Sequence, residues 1–239
     1  MSRVGLLVPS VNTVAEPEFW RLLPTTSTLH AARMRNSTCD VNDAYQMLGH
    51  AVRAADELGS ANVNVIAFAC TASSFVAGKE GERRLRDQIS TAANAPAVTT
   101  SGAVVDELRS IGARRIALYT PYPKELNLHE TRFLAEHGIE TVSDHGLGIS
   151  TAVEIADVTS QMVLDLIARN APPITADAIF LSCTNLATIG VIRIVERTYD
   201  LPVLSSNSTT FAAIARQLDW KLPAALGYIA TSTGSPTSS

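Results

Sequence analysis

The sequence predicts an α/β protein made of two pseudo-symmetric halves, each a parallel sheet flanked by helices, with an active site in the cleft between them. Three observations carry that expectation. Short apolar runs alternate with stretches of helical periodicity along most of the chain, the pattern of βαβ units and parallel strands. The order of elements starts again near residue 114. The two copies also share a register: Ser10 stands 60 positions before Cys70 and Tyr122 stands 61 before Cys183, and in each copy an apolar strand ends in Cys-Thr.

Taken in order, residues 3–9 (RVGLLVP) form an apolar strand ending in the polar turn Ser10-Val11-Asn12-Thr13, and a helix begins over Glu16 to Trp20. A second strand fits the alternation at 27–34. Tyr45, Met47, Leu48, Val52, Ala55 and Leu58 recur at near-helical spacing within 43–58, and Gly59 stops that helix. Residues 63–69 are the strand that delivers Cys70, 78–93 a charged surface helix and 96–100 a short strand. Ser101 is read as the cap of a helix through Ile111, ended by Gly112.

The second copy repeats the series. It runs through strand 115–120, the exit Pro121-Tyr122-Pro123, helix 124–137, strand 139–143, helix 153–170, strand 177–182 into Cys183, helix 189–199, strand 202–205 and helix 209–218. Pro96-Ala97-Val98-Thr99-Thr100-Ser101 matches Pro202-Val203-Leu204-Ser205-Ser206-Asn207. The halves are expected at 1–112 and 113–207, with about 208–230 packing back on the first, and the polar stretch 231–239 is expected as a disordered tail. Right-handed crossovers in both halves make their strand ends face each other across a cleft.

Composition narrows the function classes. Hydrophobic residues are 46% of the 239, enough for a sizeable core. The net charge of −4 comes without a basic run, so no nucleic-acid partner is expected. No apolar run is long enough to span a membrane, and the amino terminus does not read as a signal peptide, so no membrane partner is expected and the cytoplasm is the expected compartment. Three cysteines without a CxxC pair, and no histidine at ligand spacing, suggest free thiols rather than disulfides or zinc.

A free cysteine is most often a small core residue, and Cys39 is read that way. Cys70 and Cys183 differ because each sits where a strand stops being apolar, each precedes Thr, and they occupy equivalent places in the repeat. A thiol beside free backbone N–H groups ionises more readily, and a carboxylate substrate can use the same donors. Thr71, Ala72, Ser73 and Ser74 extend that cradle on one side, as Thr184 and Asn185 do on the other. Ser10 and Asn12 end the first strand and Tyr122 ends its repeat partner, so all three are expected in the same cleft. The five histidines fall in a strand, in helices or at loop starts and are read as structural, and the motifs GxGxxG, GxxxxGK[ST] and GxSxG are absent.

Gly5-Leu6-Leu7-Val8-Pro9-Ser10-Val11-Asn12-Thr13 with Glu16-Pro17-Glu18, then Ala69-Cys70-Thr71, Thr120-Pro121-Tyr122 and Ser182-Cys183-Thr184-Asn185, resemble the maleate cis-trans isomerase family. That family lies in the aspartate/glutamate racemase superfamily, which also holds arylmalonate decarboxylase, and the resemblance covers about residues 3–220. It implies a pseudo-symmetric two-domain fold, no cofactor, and two cysteines on opposite sides of a small carboxylate. Cys70 would add to the double bond of maleate, and Cys183 would handle a proton. Asn12 and Tyr122 would bind carboxylates. Ala152 stands where the resemblance leads one to expect a substrate-binding Asn, and Cys70 stands where one-cysteine decarboxylases have Gly.

The residues alone leave several chemistries open. Two opposed thiols suit covalent addition and rotation or two-base proton transfer, so a cofactor-independent isomerase of maleate type leads, with a two-cysteine racemase of an amino acid or hydantoin and a decarboxylase or lyase as alternatives. A small-acid binding module without turnover fits the paired Cys-Thr motifs less well. A homo-oligomer, dimeric or larger, is expected for an enzyme of this size.

Overall fold

Two four-stranded parallel sheets with the same strand order carry the chain. A computed structural model describes residues 1–232. Thr231 and Ser232 close a short helix, and the rest of the expected tail lies outside the described residues. The first sheet contains β1 (Ser2–Pro9), β2 (Ser27–Met34), β3 (Val65–Phe68) and β4 (Ala97–Thr99), in the order β2-β1-β3-β4. The second contains β5 (Arg115–Thr120), β6 (Glu140–Gly146), β7 (Ala178–Leu181) and β8 (Val203–Ser205), in the order β6-β5-β7-β8. Every neighbouring pair is parallel. Beyond the exposed starts of β1 and β5, the inner strands are buried, which is why they read as unbroken apolar runs rather than as alternation.

This order places the site. In each sheet the chain leaves the first strand toward one side and returns on the other, so a crevice opens between the carboxyl ends of β1 and β3, and again between those of β5 and β7. Ligands of open α/β sheets bind at such switch points. The segments that continue from those four strands carry Ser10 to Asn12, Cys70, Tyr122 and Cys183.

The helices are α1 (Ala15–Leu22), α2 (Val41–Gly59), α3 (Thr71–Phe75), α4 (Gly78–Ala93), α5 (Thr100–Ser110), α6 (Lys124–Glu136), α7 (Ser160–Arg169), α8 (Ile192–Tyr199), α9 (Ser206–Gln217) and α10 (Tyr228–Ser232). Although α9 follows the second sheet, it packs on α1, α5, β3 and β4, while α3 and α4 of the first half lean on α6 of the second. No helix among the described residues is long and apolar enough to cross a membrane.

Several boundaries differ from the sequence reading. Thr99, not Ser101, caps α5 by accepting from the Gly102 amide, and α9 starts at Ser206 with Ser205 as cap and Ser208 completing a capping box. In both cases the last strand residue is already a hydroxyl residue, so the helix begins without an intervening turn. The expected helix 153–170 is broken into a 3-10 turn at Ala152–Asp157 and α7, because Thr159 caps a new helix through the Met162 amide. β6 runs on to Gly146, beyond the expected end at 143. A short helix, α3, directly follows Cys70, but none follows Cys183: residues 184–191 are turns and α8 begins only at Ile192.

Candidate active site

Cys70, Thr71, Ala72 and Ser73 from one half and Tyr122, Cys183, Thr184 and Asn185 from the other line one pocket, together with Asn12. The cavity holds about 40 Å³, room for a few waters. Ser10 is not among its lining residues. Its hydroxyl donates to the Asn36 carbonyl at 3.2 Å and accepts from the Asn36 amide at 3.1 Å, so it braces a residue that does line the pocket.

Cys70 is the extended residue before α3, with φ −144° and ψ 109°. Burial raises its thiol pKa, while the Ser73 hydroxyl and the amides of Ser73 and Ala72 pull the other way. Cys183 has a different local origin. Its φ of 98° lies in the left-handed region that favours glycine, and its backbone N–H donates to Ser206 Oγ at 2.9 Å. Its Sγ accepts from the Asn185 amide at 3.4 Å and from the Tyr122 hydroxyl. Burial still dominates and pushes the thiol up to about 12, and the Tyr122 phenol is raised well above its ordinary value by the same desolvation and by the neighbouring thiol.

The two thiol loops are joined by hydroxyls. Thr71 Oγ1 donates to Ser206 Oγ at 2.9 Å, and that oxygen receives the Cys183 amide. Thr184 Oγ1 donates to the Ala69 carbonyl at 3.0 Å and accepts from Asn12 Nδ2 at 3.1 Å. Asn12 has a fixed orientation, because its Oδ1 takes the amides of Val14 and Ala15 at 3.0 and 2.9 Å. Its amide nitrogen must therefore face the pocket side, with one N–H on Thr184 and one left over. Asn185 spends its side chain on structure: Oδ1 accepts from the Thr13 amide of the other half at 3.0 Å, and Nδ2 donates to the Ala152 carbonyl of its own half at 3.0 Å.

The roof comes from both halves. Cys39 N–H donates to the Ser150 carbonyl at 2.9 Å, and Thr38 pairs with Thr151 in an antiparallel bridge. Cys39, read from the sequence as plain core, is indeed buried, but it also lines the pocket beside Asn36, Thr38 and Asp40. The signal was topological: the loop after β2 leaves the same sheet edge as the loops after β1 and β3. Ala152, Ile155, Met47 and Leu126 add apolar wall.

Among the described residues no Lys, Arg or His lines this pocket, and Asp40 is its only ordinarily charged side chain. Its remaining polar groups are amides, hydroxyls, thiols and a phenol, and neutral preorganised donors of this kind can stabilise charge in a site that excludes water. No group of three or more His, Cys, Asp or Glu among the described residues is placed to hold a metal ion.

Similarity to characterised proteins agrees with this geometry. The chain matches the arylmalonate decarboxylase family over residues 4–228. It is 31% identical over 235 residues to a maleate isomerase of Geobacillus stearothermophilus, covering 92% of each protein. A variant of the maleate isomerase of Pseudomonas putida, crystallised with maleate, superimposes with a TM-score of 0.90 at 27% identity, over 96% of this chain and 97% of that one. A mutant of the Nocardia farcinica maleate cis-trans isomerase with a covalently bound succinylcysteine intermediate also gives 0.90, at 25% identity, over 98% of this chain and 99% of that one.

Proposed function

The chain belongs to the arylmalonate decarboxylase family, within which its relatives include maleate isomerases, and on that premise we propose that it converts maleate to fumarate through a cysteine adduct. The observation that carries the reading is the pair of buried thiols, Cys70 and Cys183, lining one pocket whose other polar side chains, Asp40 apart, are neutral.

Cys70 is the nucleophile. Its thiolate forms a C–S bond to one alkene carbon, and the π electron pair moves to the other, where the adjacent carboxylate spreads the charge. Cys183 S–H protonates that carbon, giving a succinyl adduct on Cys70 and a Cys183 thiolate. The carbon–carbon bond is now single and rotates. Cys183 thiolate then removes a proton from the same carbon, the double bond re-forms in the trans geometry, and the C–S bond breaks to release Cys70 thiolate. No electrons are gained or lost overall, so the reaction needs no oxidant or reductant.

The division of roles follows the surroundings of each sulfur. A thiol raised to about 12 holds its proton at neutral pH, as an acid must, and Tyr122 stabilises the thiolate left after transfer. The amides of Ala72 and Ser73 and the Ser73 hydroxyl favour the anionic form of Cys70. Asn12, Tyr122, Thr71 and Thr184 are the carboxylate donors in this reading, with Ala72 and Asn185 contributing backbone. Ser10 supports the site through Asn36. Ala152 offers no side-chain donor, so the substrate end beside it is held by fewer hydrogen bonds, each worth about 1–3 kcal/mol when an anion is bound. The same reading places the working enzyme in the cytoplasm, where thiols stay reduced, as a homo-oligomer.

Proton NMR of the purified protein with maleate in deuterated buffer tests the proposal. Fumarate must appear. Loss of carbon dioxide from a substituted malonate, or deuterium at the α-carbon of aspartate or glutamate with loss of optical rotation, in the absence of fumarate formation, would replace it with a lyase or a racemase.

A further inference from the structure

Behind Cys183 lies a carboxyl group that the covalent chemistry does not use. Glu130, in α6, is 1% exposed, and Ser182, the residue before Cys183, donates to its Oε1 at 2.7 Å. Its Oε2 is buried without a hydrogen-bond partner. The crevice that Glu130 lines with Thr71, Ser101, Val104 and Phe180 has no room for a water. An ionised carboxylate can accept about four hydrogen bonds, and this one is offered a single donor.

The groups around Glu130 supply no counter-charge. β6 presents Asp144, another acid. The turn after β5 presents the Tyr122 phenol and the end of β7 presents the Ser182 hydroxyl and the Cys183 thiol. α3 and α5 contribute Thr71, Ser101 and Val104, none of them ionisable. An anion in this place would be buried and unpaired, a state that proteins avoid by keeping the proton. Burial lifts the Glu130 carboxyl to about 8, against the lowering by the Ser182 hydrogen bond, and Asp144 adds to the rise. A charge on Glu130 would in turn make Cys183 and Tyr122 harder to ionise.

The pocket in front of it already has to accommodate a thiolate and an anionic substrate with no cationic side chain among its lining residues. We infer that Glu130 is held as the neutral acid so that thiolate and dianion can share the pocket, and that its ionisation caps the rise of activity toward alkaline pH. Glu130 touches no substrate and acts through Cys183 and Tyr122, so it is a positioning residue of the site. The inference rests on the thiol reaction proposed above, yet it has a readout that does not require turnover.

The test compares kcat/KM for maleate in the wild type and in Glu130→Gln, which keeps the shape and the acceptor for Ser182, from about pH 6 to pH 10. The ratio of variant to wild type is expected to be flat below about pH 7. Above the carboxyl's value of about 8 it should climb, by up to about tenfold per pH unit, because in the wild type the charge on Glu130 opposes the Cys183 thiolate left after proton transfer, whereas the variant carries no such charge. A ratio that is constant over the whole range, even if the variant is uniformly slower, overturns the inference and leaves Glu130 a packing residue.

A second measurement covers a variant that fails to fold: the Glu130 side-chain carboxyl, assigned by NMR in ¹³C-glutamate-labelled wild type. Titration near pH 8 supports the inference, and titration in the ordinary carboxylate range contradicts it. If the wild type makes no fumarate at any pH, the proposed function fails, while the carboxyl titration still decides the state of Glu130.

Discussion

Cys183 holds a backbone angle, φ 98°, that costs a side-chain-bearing residue about 1–3 kcal/mol unless its surroundings insist on it. Here they do. Ser206 takes its amide, Asn207 Nδ2 donates to the Thr184 carbonyl at 3.1 Å, and the buried carboxylate of Glu18 anchors the following turns through the Thr188 and Ile189 amides at 3.0 and 3.1 Å. Strain of this kind, kept at a reactive group, predicts a trade between stability and function. Cys183→Gly and Cys183→Ala both remove the thiol, but only Gly fits the angle without strain, so Gly should be the more stable of the two by about 1 kcal/mol. Equal midpoints in urea, or a less stable Gly variant, would show that the angle is not strained. Both variants should lose about 10²–10⁴-fold in kcat if Cys183 is the acid.

At the scale of elements, the strands were legible because their apolar runs are short and bounded, and because the second copy repeats the first at nearly the same spacing. Helix starts were less legible. Thr99-Thr100-Ser101 and Ser205-Ser206-Asn207-Ser208 each offer several hydroxyl caps in a row, and local chemistry alone does not choose among them. The fold chooses the earliest, which frees the next residues for other work: Ser206, the first residue of α9, becomes the hydroxyl between Thr71 and the Cys183 amide. Ser205→Ala should therefore cost about 1 kcal/mol as a lost cap. It should also reduce kcat more than its small loss of stability explains, since it loosens the residue that holds Cys183. An unchanged kcat at a temperature where the variant is fully folded would separate the cap from the site.

The repeat in the sequence pointed to both cysteines and to most of what surrounds them, because those residues follow strand ends and stand at fixed distances along the chain. Residues delivered by tertiary packing had no such signature. Glu130 and Cys39 come from α6 and from the loop after β2, and each looked like an ordinary helix or core position until the halves were brought together. Ser10, by contrast, stood at the right strand end but turned to Asn36 instead of the pocket.

For the molecule as a whole, the halves interlock. α9 leaves the second sheet to seat on the first half, α3 packs on α6, and Glu18 joins α1 to the turns after Cys183 and to Asn207 at 2.7 Å. The pocket exists only when both halves are folded and docked. Thermal unfolding should accordingly be one cooperative transition, with calorimetric and van't Hoff enthalpies in agreement. Two resolved transitions would mean that the halves fold independently.

In this mechanism Cys70 forms a covalent adduct that Cys183 helps to make and resolve. Cys183→Ser should slow both steps and let the adduct accumulate. The direct measurement is intact-protein mass spectrometry of Cys183→Ser after incubation with maleate, followed by peptide mapping. A gain of one maleic acid per chain is expected, on the peptide that carries Cys70, and no gain in Cys70→Ser. An unmodified Cys183→Ser protein that still produces fumarate, or an adduct found on Cys39 instead, would contradict it.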